Sequence, residues 1–499
     1  MQTQGFTIDP EVSMYLAPDH IKMFVGGEWT DADSGATLDV IDPGEGKRIA
    51  RVSSGDASDI GRAVDAAQDA FRSGLWSKMD VKSRAAAIRR LADLVDDHRT
   101  ILAQLDSLDV GKPVWQAYDA DVPNVSRTLR YYADLSVQTQ SRVPITASGY
   151  DVHSFREPYG VCAFIFPWNY PVELIGTGIA PALAAGNTVV VKPAEDTPLS
   201  SLYFCKLVQK AGIPDGVVNI VTGLGHTAGA ALSKHPGIKR MSFTGSPEVG
   251  KLIGEACGRN LVPVKLELGG KGAAVVFDDF DVGSAVKGLT DAVTANSGQL
   301  CCTATRWVIH EKILDQFVKQ AVETLQSIKI GYGLEPSTQM GPLVSEKQRQ
   351  RVLGYLKRGE EEGARKLLAG GPLRVPGHEG GFYVSPALLT GSPENVCARE
   401  EIFGPVAYVL PFSSEQEAIE LVNMSNYGLA NSVWTNDLER ANRVAESLTA
   451  GTSWINAHND SPLGVPSAAC NLSGMGGGGS GPEALTDYLR PQSIVRPLR

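Results

Sequence analysis

The chain has 499 residues, too many for one ordinary hydrophobic core, and so implies two or three domains. Its composition, 43% hydrophobic and 20% charged, is that of a soluble globular protein. A formal net charge of -10 argues against a nucleic-acid partner, whose binding surfaces carry a basic patch or stripe.

The first twenty residues, MQTQGFTIDPEVSMYLAPDH, lack both a basic and an apolar signal region and do not read as a secretion signal. The longest apolar candidate, LIGTGIAPALAAG (174–186), is too short to span a membrane and fits a buried helix. Seven scattered cysteines, an odd number, fit reduced thiols in a cytoplasmic protein.

Residues 21–56 read as short strands and turns (FVGGEWT, TLDVIDPGEG). Two amphipathic helices follow, the first marked by Ile60, Val64, Ala67 and Phe71 at helical spacing. Residues 142–157 alternate about Ser148-Gly149 and predict a hairpin. From 160 to 268 five strands (GVCAFIF, NTVVVKP, GVVNIV, IKRMSFT, VPVKLEL) alternate with helices that begin near 171, 198, 226 and 246. That alternation predicts a parallel sheet with helices on both faces, whose ligand lies beyond the carboxyl ends of the strands. Asp281 opens a further helix that runs to Gly298, and strand–helix alternation to about residue 470 makes a second α/β domain. After a glycine-rich stretch, TDYLRPQSIVRPL predicts a final strand.

Residues with chemical potential sit just after the predicted strands. In PWNYP (167–171), Asn169 is either a helix cap or an amide donor for an oxyanion. Lys192 and Glu195 follow NTVVVKP; a carboxylate there can accept ribose hydroxyls. It would also repel a 2'-phosphate, which favours NAD, although Lys192 could offset the repulsion and leaves NADP open. Ser246 and Pro247 mark a helix start directly after a parallel strand, a fit for pyrophosphate. GLGHTAG (223–229) is a looser glycine turn. Glu267 ends VKLEL, where burial would require either an ion pair or a role as general base. NSGQLCCTATR (296–306) places Cys301 beside Cys302. Adjacent cysteines suit little that is structural, because a vicinal disulfide is strained and metal sites space their cysteines further apart. No His/Cys ligand cluster is visible, so no metal is expected.

Six strings resemble the aldehyde dehydrogenase superfamily in order and spacing: FPWNYP (166–171), KPAEDTP (192–198), FTGSPEVGK (243–251), ELGGK (267–271), GQLC (298–301) and EEIFGPV (400–406). The resemblance implies a Rossmann-like parallel-sheet cofactor domain (20–140 and 158–268) and an α/β catalytic domain (269–475). A small β oligomerisation element (141–157 and 482–499) would pair the chain into a homodimer or homotetramer. It implies Cys301 as nucleophile, Glu267 as general base and Asn169 as oxyanion donor. Cofactor residues by the same resemblance are Phe166, Trp168, Lys192, Glu195, Gly225, Gly229, Thr244, Gly245, Ser246, Val249, Gly250, Leu268, Glu401 and Phe403.

The activity so implied is NAD(P)-dependent oxidation of an aldehyde through a cysteine thioester released by water. Tyr170, Leu300, Cys302, Trp454 and His458 are expected around the substrate, Trp454 and His458 on a loop, GTSWINAHND (451–460). The aromatic content suggests an apolar, aromatic or cationic aldehyde. One segment departs from the family pattern: VPSAACNLSGMGGGGSG (465–481) keeps only SGxG, and puts substrate transfer by analogy in doubt. Coenzyme A-acylating relatives generally lack the glutamate of ELGG, which favours water as acceptor here. A semialdehyde dehydrogenase would need a cationic anchor that the sequence does not identify. A cysteine hydrolase would need a histidine signature that is missing, and intact Cys301, Glu267 and Asn169 disfavour a non-catalytic binding role.

Overall fold

The computed structural model describes residues 7–139, 142–460 and 462–498. Residues 1–6 of the N-terminal stretch, and Ser141 and Arg499 at the edges of the expected oligomerisation element, lie outside the described residues.

The strand Val161–Ile165 is buried at every residue, as a central strand covered on both faces requires. Its side chains alternate: Cys162 and Phe164 enter one core, whereas Val161, Ala163 and Ile165 enter another on the opposite face. It pairs in parallel with Thr188–Lys192 on one side and Arg240–Thr244 on the other. Val218–Ile220 and Val264–Glu267 extend the parallel sheet outwards. Chain order therefore reverses at Val161–Ile165, the topological switch point where such sheets bind ligands. Met23–Val25, Glu28–Thr30 and Gly474–Met475 complete eight strands, and the last of these pairs antiparallel with Val264–Glu267.

A second sheet of seven strands has the order Arg365–Leu368, Ala387–Thr390, Val406–Phe412, Ala304–His310, Gly272–Val276, Ala430–Trp434 and Thr452–Ile455. All neighbours are parallel except the first pair. Arg142–Ala147 and Tyr150–Pro158 form the expected hairpin, and Leu489–Pro497 adds a third strand in a nine-residue register. This arm leaves Val143, Ile145, Ile494 and Val495 exposed.

Three details differ from the sequence reading. Pro10–Leu16 is a short helix capped by Asp9, with too few turns for a periodic signal. Trp454 lies on an edge strand, Thr452–Ile455, rather than on a loop. Gly474–Met475 closes the first sheet although the chain has just left the second. Among the described residues no helix is long and apolar enough to cross a membrane.

Candidate active site

The helix Pro171–Ala184 begins with proline at its first position and Tyr170 as an N-cap that makes no side-chain cap bond. Asn169 therefore does not cap it. Buried instead, its Nδ2 donates to the carbonyl of Gln299 at 3.1 Å, and Asn296 Nδ2 donates to the Asn169 carbonyl at 2.8 Å. These bonds tie the turn after the central strand to the segment that carries the cysteines.

That segment leaves the helix Val282–Thr294, capped by Asp281 as expected, through three consecutive residues with positive φ: Asn296 (45°), Ser297 (57°) and Gly298 (73°). Non-glycine residues in this region each cost about 1–3 kcal/mol and persist only where surroundings hold them. Here Asn296 N donates to Gln116 Oε1 (3.1 Å), Ser297 Oγ to Gly341 O (2.8 Å) and Val344 N to Gln299 Oε1 (2.9 Å). A Cβ on Gly298 would overlap the Gly404 backbone. The strained turn thus locks the cysteines against the loop of Glu401 and Phe403.

Cys301 and Cys302 form a half-buried turn and are free thiols. Cys302 Sγ faces Asn459 Oδ1 at 3.5 Å, and the Cys302 carbonyl meets His458 Nε2 at 2.9 Å. Burial pushes His458 down to about 4, so its neutral ring donates from Nε2 while Nδ1 lies 2.9 Å from Ser432 Oγ. His458 is thus a brace behind Cys302. The thiols interact with each other: their hydrogen bond eases the first deprotonation at Cys302 and raises Cys301, which burial and the charges of Glu401 and Glu267 raise further. The pair accommodates one thiolate.

Glu267 is the last residue of its strand, and its carbonyl accepts from Gly245 N at 3.0 Å. Burial raises its pKa; Lys265, with Nζ 3.5 Å from Glu267 Oε1, pulls against that. Lys265 Nζ also donates to the carbonyl of Gly478 at 3.2 Å, within the four-glycine run. The next turn runs beneath the cysteines, since a Cβ on Gly270 would overlap the Cys301 carbonyl. Gly270 N donates to Glu401 Oε1 at 2.8 Å, and burial raises Glu401 to about 7. Phe403, itself at φ 63°, meets the Trp168 ring edge-on at 5.2 Å.

At the switch point, Lys192 Nζ lies 2.7 Å from Glu195 Oε2 and Gly225 N lies 3.3 Å from Glu195 Oε1. Burial opposes charge on Glu195, but Lys192 prevails and holds it below the usual range. Gly229 approaches the Lys192 stem. Ser246 caps the helix Pro247–Arg259 by accepting Val249 N at 3.3 Å, directly after Thr244 and Gly245. Val249 is exposed there, whereas Gly250 packs on Leu268. A carboxylate–lysine pair, a helix N-terminus and an exposed apolar residue on one crevice fit the ribose, phosphates and adenine of a dinucleotide. Glu401 and Phe403 lie towards the cysteines, where its reactive ring would reach.

Phe166 N donates to Lys192 O at 3.1 Å and links the crevice to the Asn169 turn. Tyr170 and Leu300 border the cysteines and are half-exposed; Trp454 meets the His458 ring at 4.7 Å with the planes tilted by 59°. Sequence reasoning missed Asn296 and Gln299, which hold the turn, and Lys112, whose Nζ sits 3.7 Å over the Tyr170 ring. It also passed over Lys265, although two residues on a strand separated by one share a face.

A model of the aldehyde dehydrogenase family matches residues 29–494. An aldehyde dehydrogenase of Enchytraeus buchholzi is 41% identical over 94% of this chain and 94% of its own length. Retinal dehydrogenase 2 of Homo sapiens is 41% identical over 94% of this chain and 90% of its own. A solved NAD+ complex of an aldehyde dehydrogenase from Bacillus cereus superposes with a TM-score of 0.96 at 39% identity, over 99% of this chain and 100% of that one. The chain belongs to the aldehyde dehydrogenase family.

Proposed function

We propose that Cys301, Glu267 and Asn169 carry out an NAD-dependent oxidation of an aldehyde to its carboxylic acid in this chain. The observation that carries this reading is the meeting of three segments. The Asn169 turn bonds the cysteine segment, and the Glu267–Gly270 turn packs against the Cys301 carbonyl.

Cys301 is the nucleophile because it lies against the Glu267–Gly270 turn, whereas Cys302 turns towards Asn459. Glu267, raised by burial, takes the Cys301 proton, and the thiolate adds to the carbonyl carbon. One N–H of Asn169 is committed to Gln299 O; the other, with the Cys301 backbone N–H, receives the oxyanion. Bound NAD supplies the hydride acceptor that leaves a thioester on Cys301. Glu267, having released its proton to solvent, deprotonates a water that attacks the thioester, and the acid departs with Cys301 restored.

The Rossmann-like sheet with the 20–140 and 158–268 segments forms the cofactor domain, and 269–475 the catalytic domain apart from Gly474–Met475. Exposed apolar residues on the three-stranded arm support a homo-oligomer, dimer or tetramer. Seven free cysteines fit a cytoplasmic setting. Cys301→Ala should abolish NADH formation from propanal and retain NAD binding, read by tryptophan fluorescence. Persisting turnover would refute this assignment.

A further inference from the structure

We propose that Glu173 is the specificity determinant of this site and receives the ammonium end of an amine-bearing aldehyde. This deepens the reading above, since it takes Cys301 as the nucleophile. Glu173 belongs to the first turn of the helix Pro171–Ala184, just after Tyr170. Most of that helix is buried, but Tyr170, Glu173, Leu174 and Thr177 are half-exposed and share one face at helical spacing. The face borders the thiols: the Tyr170 hydroxyl lies in the fields of Cys301, Cys302 and Glu173, and the charge of Glu173 bears on Cys302.

The bland reading of a glutamate at this position is a helix cap, bonded back to the N-cap backbone or resting on the helix dipole. Glu173 makes no such bond. Its Oε1 accepts from Asn124 Nδ2 at 2.6 Å, a neutral partner. Among the described residues no lysine, arginine or histidine forms an ion pair with it. The nearest cation is already engaged: Lys112 Nζ lies 2.6 Å from Asp121 Oδ2 and stacks on Tyr170, fully buried. Lys112 is therefore committed to Asp121, and Glu173, half-buried, has no ion-pair partner among the described residues. Burial and the charge of Asp121 raise it to about 7 against the pull of Asn124 and Lys112, so that a bound cation would hold it ionised.

A carboxylate so placed favours a cationic substrate and repels a carboxylate-bearing one. An acid semialdehyde would meet Glu173 without the cationic anchor it needs.

The test compares betaine aldehyde with 3,3-dimethylbutanal, its neutral isostere, and with succinic semialdehyde. For the parent, kcat/KM should favour the cation over its isostere by at least about tenfold, and this ratio should fall as salt rises. Glu173→Gln should collapse the ratio towards unity through KM for the cation, and Glu173→Lys should turn preference to succinic semialdehyde. Should neither variant fold, the parent ratio and its salt dependence still decide. If the parent oxidises 3,3-dimethylbutanal as well as betaine aldehyde, this inference is wrong while the proposed function stands. If it oxidises none of the three nor propanal, the proposed function itself fails.

Discussion

Replacing Lys265 with methionine should move the acid limb of the pH profile to higher pH. The limb of kcat/KM reports the free enzyme's essential base, which the proposed mechanism assigns to Glu267. Lys265 Nζ stands 3.5 Å from Glu267 Oε1, with both side chains mostly buried. At an effective dielectric of about 20, the attraction at that 3.5 Å separation is about 4.7 kcal/mol, much of it offset by desolvation. Such neighbours shift a carboxyl by about 1–3 pKa units, and sharing Nζ with the Gly478 carbonyl weakens the effect here. Removing the cation disfavours the carboxylate, so the pKa of Glu267 rises above its already raised value. Below the limb, activity should fall about 10- to 100-fold, while the alkaline plateau persists. The assay is NADH production from propanal between about pH 5 and 9.5, with Lys265→Arg expected to restore the parent limb. A shift smaller than about 0.3 unit, or one towards lower pH, would show that Lys265 does not set the charge on Glu267.

Asn169→Ala should lower kcat by about 100- to 1,000-fold while NAD binding, followed by fluorescence quenching, is retained. An unchanged kcat would remove Asn169 from the oxyanion site. Glu195→Gln should lower KM for NADP by about tenfold, because the repulsion of a 2'-phosphate disappears while Lys192 remains. If KM for NADP does not move, Glu195 does not face the ribose. Ile494→Glu, on the exposed outer strand of the arm, should convert the assembly to smaller species by light scattering. An unaltered mass would mean that the arm is not an interface.

Much of the fold was legible because its strands and helices carry strong local signals. Asp281, and Ser246 followed by Pro247, start helices where caps and prolines predict them. The Ser148-Gly149 hairpin also lies where alternation puts it. Pairings that span the chain were not legible: Gly474–Met475 is two residues long and has no pattern, and only the edge of Val264–Glu267 assigns it to the first sheet. At the site, motifs led to Cys301, Glu267 and Asn169, but not to what holds them. The strain at Asn296 and Ser297 is invisible without φ angles, and Glu173 reads as an ordinary helix-start residue until Asn124 and Lys112 take their places. The bonds of His458 to Cys302 and Ser432 were likewise not legible, since they join segments far apart in the chain.

The closure of the first sheet by Gly474–Met475 has a consequence for biosynthesis. The strand that carries Glu267 has its outer edge covered only by residues made more than 200 positions later, and Leu268 N awaits the carbonyl of Ser473. During translation that edge stays open long after its own sheet has otherwise formed, an invitation to pairing with another chain. Lys265, reaching sideways from the same strand, gains its Gly478 acceptor at the same late moment. The strand with Glu267 is therefore completed only when the last residues emerge, and a nascent chain cut short before Gly474 would hold Glu267 on an open edge.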